Sequence, residues 1–450
     1  MALGSTSTNR FRKGPVYPLC VAASRSISTD AAPFFWRGVS RAIALILAAV
    51  ASAGCLGREG TDGTGVMDTT SCRGVRVDPQ SEIQTLIDNH PVGTTFCFAA
   101  GMYELTGTIE IADKRPIFDL RAGVVIDGGD GDFVGIAGLD GAHLGARVMG
   151  GVFQHFGNEA APDWVAPLIL RDDGVVVGTE FKDNFNAGLA IQGDRARVSR
   201  VYAHDNGRYG IVAAEPCVGC QGPVGVILED SEIAFNNTRH LNTGGDAGGT
   251  KFTRTDGMIV RGNHVHDNYG AGLWFDVFNR NANVYDNDIE DNYNWGILYE
   301  ISYGGTRIHD NTLRDNGEGG DNGWLNAVQL LVAGSDGSVG RNGIQIYSNT
   351  IDGTTYLLGL IVNENRPETR DVYVHDNTFT LRSAASLVGA VAYDGIDSVF
   401  LPMAGNRFDH NTYRVPGRGG SYWAWNGRLL TWSQWRAYGQ DVNGAEVQIS

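Results

Sequence analysis

Proline is scarce in this chain, 13 in 450 residues, and cysteine scarcer still at 6. Positive charge is also short: 35 Lys and Arg stand against 51 Asp and Glu, for a formal net charge of −16. That deficit argues against nucleic acid as a partner, since binding phosphates needs a basic face. No phosphate loop, Ser-His-Asp motif or HExxH motif is present, so no familiar catalytic signature announces a reaction. What the chain has instead is glycine, 62 residues of it, with abundant Asn and Asp. Those residues build turns, so this composition describes many short strands and few helices. The length allows one large domain or two to three ordinary ones.

The longest apolar run, AIALILAAVASAG, is too short to span a bilayer comfortably and follows Arg37 and Arg41. A basic flank, a short apolar core and small residues make a secretory signal. The run ends at Cys55, as in a bacterial lipoprotein signal that lipidates the Cys, although Ser52 stands where such signals prefer Leu or Val. Ordinary cleavage after Ala53 fits as well. The protein is therefore expected to be exported: an outer-membrane or cell-surface lipoprotein held by lipid alone, or a periplasmic or secreted protein. In an oxidising compartment two disulfides are expected, Cys72 with Cys97 and Cys217 with Cys220.

The boundaries follow from composition. Residues 1–55 form an extension and export signal, 56–71 a Gly/Thr-rich tether, 72–415 the repeat region and 416–450 a tail. Near the front, Ser81 is placed to cap a short helix with Ile83, Leu86 and Ile87 on its apolar stripe. Beyond about residue 117, short strands recur at a regular beat. Asn263, Asn287 and Asn311 lie 24 residues apart, each followed two residues later by an apolar side chain, and Asn349 and Asn377 extend the series. A second Asn series runs Asn184, Asn206, Asn236, Asn268, Asn292 and Asn316. A third marker is a Gly before an apolar strand: Gly188, Gly210, Gly249, Gly272, Gly296. Such a period means stacked repeats. One period holds about three short strands, the content of one solenoid coil, and Asn at the bends can form a ladder from coil to coil.

The repeats IVRGNHVHDN, VYDNDIEDN and IHDNTLRDN resemble those of right-handed parallel β-helix proteins, the pectate-lyase-like superfamily. The resemblance covers roughly residues 75 to 415. It implies an all-β, single-domain solenoid closed by a helical cap in front. The tail carries Trp423, Trp425, Trp432 and Trp435, expected to pack over the last coil as an aromatic cap.

The fragments GLWFD and GILYE set Asp276 and Glu300 at equivalent points of successive coils. Alternation from each marker Gly turns Leu273, Phe275, Ile297 and Tyr299 inward. Two outward columns result, one of Lys251, Trp274 and Leu298, the other of Thr253, Asp276 and Glu300. Two ionised carboxylates about 5 Å apart repel by roughly 3 kcal/mol at an effective dielectric near 20. The pair therefore needs compensation: a shared proton, a bound Ca²⁺, or Lys251, Arg254 or Arg280. The recurrent His-Asp-Asn runs, by contrast, are expected to be structural.

Around the pair the candidate catalytic residues are Asp276, Glu300, Lys251 and Arg254, with Trp274, Asn279, Arg280 and Tyr303 to bind substrate. Asp276 and Glu300 are also the expected Ca²⁺ ligands. The function expected from this patch is action on an acidic polysaccharide by a monomeric lyase or epimerase with Lys251 or Arg254 as base, or by a hydrolase using the two acids. The competing expectation is a non-catalytic glycan-binding or structural rod.

Overall fold

The structure is a computed structural model that describes residues 72–138, 145–217, 220–245, 247–320, 327–362, 368–392, 400 and 404–449. The export signal, Cys55 and the tether lie outside the described residues.

Every third strand joins the same sheet. Among the described residues three long sheets contain 13, 13 and 11 strands. One coil is Ile259–Arg261 in the first sheet, His264–His266 in the second and Leu273–Asp276 in the third. The next coil repeats this as Asn283–Tyr285, Asp288–Glu290 and Trp295–Glu300. Neighbouring strands are parallel, with Leu273 opposite Ile297 and Asp276 opposite Glu300. Only the last pair of the third sheet, Trp423–Trp425 with Arg428–Leu430, is antiparallel among the described residues.

The inward side chains make one continuous core. Phe252 meets Phe275 edge-on at 5.0 Å and Phe275 meets Tyr299 at a tilt at 5.9 Å, so aromatic sits on aromatic in successive coils. The Asn series form two buried ladders. In one, the side-chain amides of Asn263, Asn287, Asn311, Asn349 and Asn377 each donate to the next, ending through Asn411 on Asp441. The other runs from Asn184 to Asn316 and ends on Gln329. These ladders explain the marker glycines. A Cβ on Gly296 would lie 2.8 Å from the Asn316 side-chain nitrogen, and one on Gly272 equally close to Asn292. Glycine precedes the third strand because the ladder amide fills that space.

Both ends are closed as expected. The helix Ile83–Asn89 buries Ile87 on the core, with Ile83 and Leu86 packed beside it. Ser81 does not cap it: the N-cap is Glu82, and the Ser81 hydroxyl accepts from the Asp78 N–H at 2.9 Å instead. At the far end Trp423 and Trp432 pack on Tyr413, and Trp425 and Trp435 on Phe408. The tail also adds the strand Ala445–Gln448 to the second sheet, so the solenoid continues past residue 415. Disulfides join Cys72 to Cys97 and Cys217 to Cys220.

Charge pairs tie coils together as well. Glu229, 3% exposed, lies between Arg197 and Arg261 of the coils on either side. Burial pushes its carboxyl upward, but Arg261 and Arg197 outweigh that and hold it below the usual range. A depressed folded pKa gives stability that is present above the unfolded value, about 4.3, and is lost as pH falls through the folded value. Glu229→Gln is therefore expected to cost about 2 kcal/mol at pH 7, and the difference from the parent should close below about pH 4. Urea unfolding at both pH values measures this.

Candidate functional site

The outer face of the third sheet is mostly apolar. Ala190 and Val212 occupy it in the early coils, Leu331, Ala333 and Ile361 in the later ones. Between them the polar side chains Lys251, Thr253, Asp276 and Glu300 interrupt it. Their outward direction follows from the strand alternation read above, with Leu273, Phe275, Ile297 and Tyr299 in the core.

Each carboxylate in this interruption has its own donor. Lys251 Nζ lies 3.0 Å from Asp276 Oδ2 and 3.7 Å above the Trp274 ring, and donates to the Gly245 carbonyl at 2.7 Å. The Trp274 indole N–H donates to Glu300 Oε1 at 2.9 Å. Beside them a third carboxylate, Glu215, accepts from the Thr253 hydroxyl at 2.8 Å and from Arg254 Nε at 3.0 Å. Arg254 stacks over Phe278 at 4.7 Å, and Phe278 lies parallel to Tyr303 at 5.8 Å. Two cations, three carboxylates and two aromatic ledges thus converge around the ends of adjacent strands.

A family model described as "Right handed beta helix region" matches residues 168–336. The chain is a right-handed parallel β-helix. The A-module of mannuronan C-5 epimerase AlgE6 from Azotobacter vinelandii is similar at 17% identity, over 80% of this chain and 91% of that one, with a TM-score of 0.44. Pectate lyase Pel9A is similar at 15% identity, over 81% and 84%, with a TM-score of 0.37. A mannuronic acid specific polysaccharide family 6 lyase from human gut microbiota is similar at 12%, over 84% and 91%, with a TM-score of 0.33. No curated protein matches the sequence.

Several expectations for the β-helix site change. Trp274 is 1% exposed and sits in a second apolar cluster with Trp295 and Leu298, outside the main core. A ring so covered cannot stack a sugar, and its role here is to hold Lys251 and Glu300. Asn279 is fully buried in a third corner ladder, accepting from Thr255 and donating to the Ser302 hydroxyl, so it is structural and not a substrate ligand. Arg280 pairs with Asp256 at 2.8 Å, which removes it as the compensating cation for Asp276 and Glu300. Lys251 takes that part.

Ca²⁺ takes six to eight oxygens. The two expected ligands bring two carboxylates, each already engaged by a protein donor, and the donor set does not fit that ion well. Among the described residues the groups of three or more ligating side chains lie on the second sheet, at His264 and its neighbours.

Glu215 was not foreseen. It stands at the head of the insertion EPCVGCQGPVG, whose Gly222 packs so tightly on Arg254 that a Cβ would meet its carbonyl at 2.5 Å. An insertion beside a functional strand was the only available signal. The Gly-rich segment before Lys251 also reaches the site, where the Gly245 carbonyl accepts from Lys251 Nζ at 2.7 Å.

The ion pair is separable from any chemistry. Lys251→Met leaves the Asp276 carboxylate shielded without its ammonium and is expected to cost about 2–4 kcal/mol. Lys251→Met with Asp276→Leu should recover most of that. Denaturant unfolding of the four variants gives the coupling, and a coupling near zero would remove the pair from the structural account.

Proposed function

We propose that this β-helix acts on an acidic polysaccharide laid along the outer face of its third sheet, as a lyase or C5 epimerase of uronate residues. The convergence of Lys251 and Arg254 with Glu215, Asp276 and Glu300, on a face otherwise apolar, carries this reading. Both cations are held by carboxylates, and a sugar carboxylate can replace those partners. Neutralising it on Lys251 and Arg254 weakens the C5–H bond. Asp276, released from Lys251 by the same exchange, takes the C5 proton. The base role expected of Lys251 or Arg254 passes to Asp276 here, because an ion-paired cation is poorly placed to accept a proton. In elimination the C4–O bond then breaks, a C4–C5 double bond forms, and the departing oxygen takes a proton from Glu300. In epimerisation Asp276 keeps the proton it took, Glu300 delivers its own to C5 from the opposite face, and exchange with solvent resets the two acids.

Hydrolysis is the second reading. It is favoured by the unlike surroundings of the two acids, Glu300 against the Trp274 indole and Asp276 against an ammonium. Two carboxylates in different environments take different acid–base roles. A panel of polyuronates and neutral glycans, with and without chelator, separates these cases. Elimination gives unsaturated ends absorbing in the ultraviolet, hydrolysis gives saturated reducing ends, and epimerisation changes the polymer's NMR spectrum without cleavage. Binding with no turnover on any polymer would support the non-catalytic rod and end the catalytic reading.

A further inference from the structure

A second cluster lies on the outer face of the second sheet. His264 and His266 share one strand and one face of it, and Glu232 stands opposite His264 in the preceding coil. One ligand atom from each of the three lies within 4.8 Å of the others. The His264 and His266 rings stack at 4.0 Å.

The protons on these rings are constrained. Asp267 lies 2.8 Å from His266 Nδ1. An ionised carboxylate only accepts, so Nδ1 carries the proton. In the neutral ring Nε2 then presents a lone pair, and it faces Glu232 Oε1 at 3.3 Å. His264 Nε2 in turn lies 3.0 Å from Glu290 Oε1, so two imidazoles and two cross-coil carboxylates stand within reach of one another on this face. Among the described residues no Lys or Arg pairs with Glu232. A separation of 3.3 Å is close to the edge of a tetrahedron with bonds of about 2.0 Å, the ligand spacing around Zn²⁺.

We propose that Glu232, His264 and His266 bind one divalent transition-metal ion, Zn²⁺ by the chemistry of the donors. Water completes its coordination. Asp267, 2.8 Å from His266 Nδ1, orients His266, and Glu290, 3.0 Å from His264 Nε2, orients His264, the contact that metal-binding imidazoles make through their other nitrogen. Because Glu232 belongs to one coil and both histidines to the next, the ion joins two coils. It lies on a different sheet from Lys251, Asp276 and Glu300, so the assignment is independent of the proposed reaction.

The chain contains its own control. His309 makes the same contact to its following acid, Asp310, at 2.7 Å, but its Nε2 faces the Asn283 amide oxygen at 3.1 Å where His266 faces a carboxylate. His204 repeats both carboxylate contacts, to Asp205 at 2.6 Å and Glu180 at 3.2 Å, but has Tyr202 at the position of His264, so neither it nor His309 offers a second imidazole.

The experiment is Zn²⁺ titration by calorimetry of the full protein, stripped with chelator and free of any polyhistidine tag. One equivalent is expected, with a rise in Tm. Glu232→Gln, His264→Ala and His266→Ala should each weaken it at least tenfold, and Asp267→Asn by 10–100-fold. His309→Ala should leave it unchanged. Co²⁺ in place of Zn²⁺ should give visible bands that His266→Ala abolishes, while circular dichroism confirms the variant's fold. Absence of stoichiometric binding, or binding that persists unchanged in both His264→Ala and His266→Ala, would overturn the assignment.

Discussion

Asp276→Asn is expected to lower turnover on the polyuronate substrate by about 10²–10⁴-fold, the usual contribution of a positioned acid or base. The thermal midpoint should move much less than with Lys251→Met. The amide keeps the shape of Asp276 and can still accept from Lys251 Nζ, now 3.0 Å away, but it cannot take a proton. Glu300→Gln should fall by a similar factor, since the Trp274 indole N–H at 2.9 Å can donate to the amide oxygen as it does to the acid. KM should change little in both, because sugar binding is assigned to Lys251 and Arg254. Loss in kcat with KM kept is the pattern of groups used only in the transition state. If both variants retain full turnover, the acids serve only the packing of this face and the reaction lies elsewhere. Lys251→Ala and Arg254→Ala should show the opposite balance, with a raised KM on uronate polymers.

The solenoid was legible because its physics repeats. Asn at a bend, Gly beside the Asn of the next coil and alternation within the strand each recur over many successive coils, so errors average out. That placed Leu273, Phe275, Ile297 and Tyr299 in the core and set Asp276 against Glu300. What the register could not convey was the burial of the outward face. Trp274 and Leu298 point away from the core yet are 1% and 2% exposed. A period-2 pattern distinguishes two faces, but only a three-dimensional structure says whether the second is also covered. The partners of side chains beyond the strand ends were equally hidden. Arg254 found Glu215, which lies in an insertion that does not obey the repeat, while Arg280 found Asp256 one period of 24 residues away, at a corner that the strand alternation does not describe. The His-Asp-Asn runs, by contrast, were expected to be structural. What distinguishes His266 is a second imidazole, His264, two residues before it on the same face, where His204 has Tyr202.

The ladder invites the most severe test of stability. Asn292→Ala is expected to cost about 3–5 kcal/mol, from several unmade buried hydrogen bonds at 1–3 kcal/mol each. Asn292 is 1% exposed. Its side-chain nitrogen donates toward Asn316 Oδ1 at 2.8 Å and the carbonyls of Val265 and Glu290 at 2.9 and 3.0 Å, while its oxygen accepts from Asn268 Nδ2 at 2.9 Å. Ala removes both halves, and a methyl group cannot repair either. Asn292→Asp separates donor from volume. The isostere keeps the acceptor for Asn268 but turns a second acceptor toward Asn316 Oδ1, so it should be about as damaging as Ala. Asp441 shows why position decides this. It ends the other ladder, accepts from Asn411, Tyr413 and Trp435, and has no further ladder amide to donate to. A carboxylate is tolerated at the end of such a column and excluded from its middle. Denaturant midpoints of the two variants measure the difference directly. A cost below about 1 kcal/mol for both would mean that the solenoid is held by its apolar core alone, with the ladder merely filling the bends.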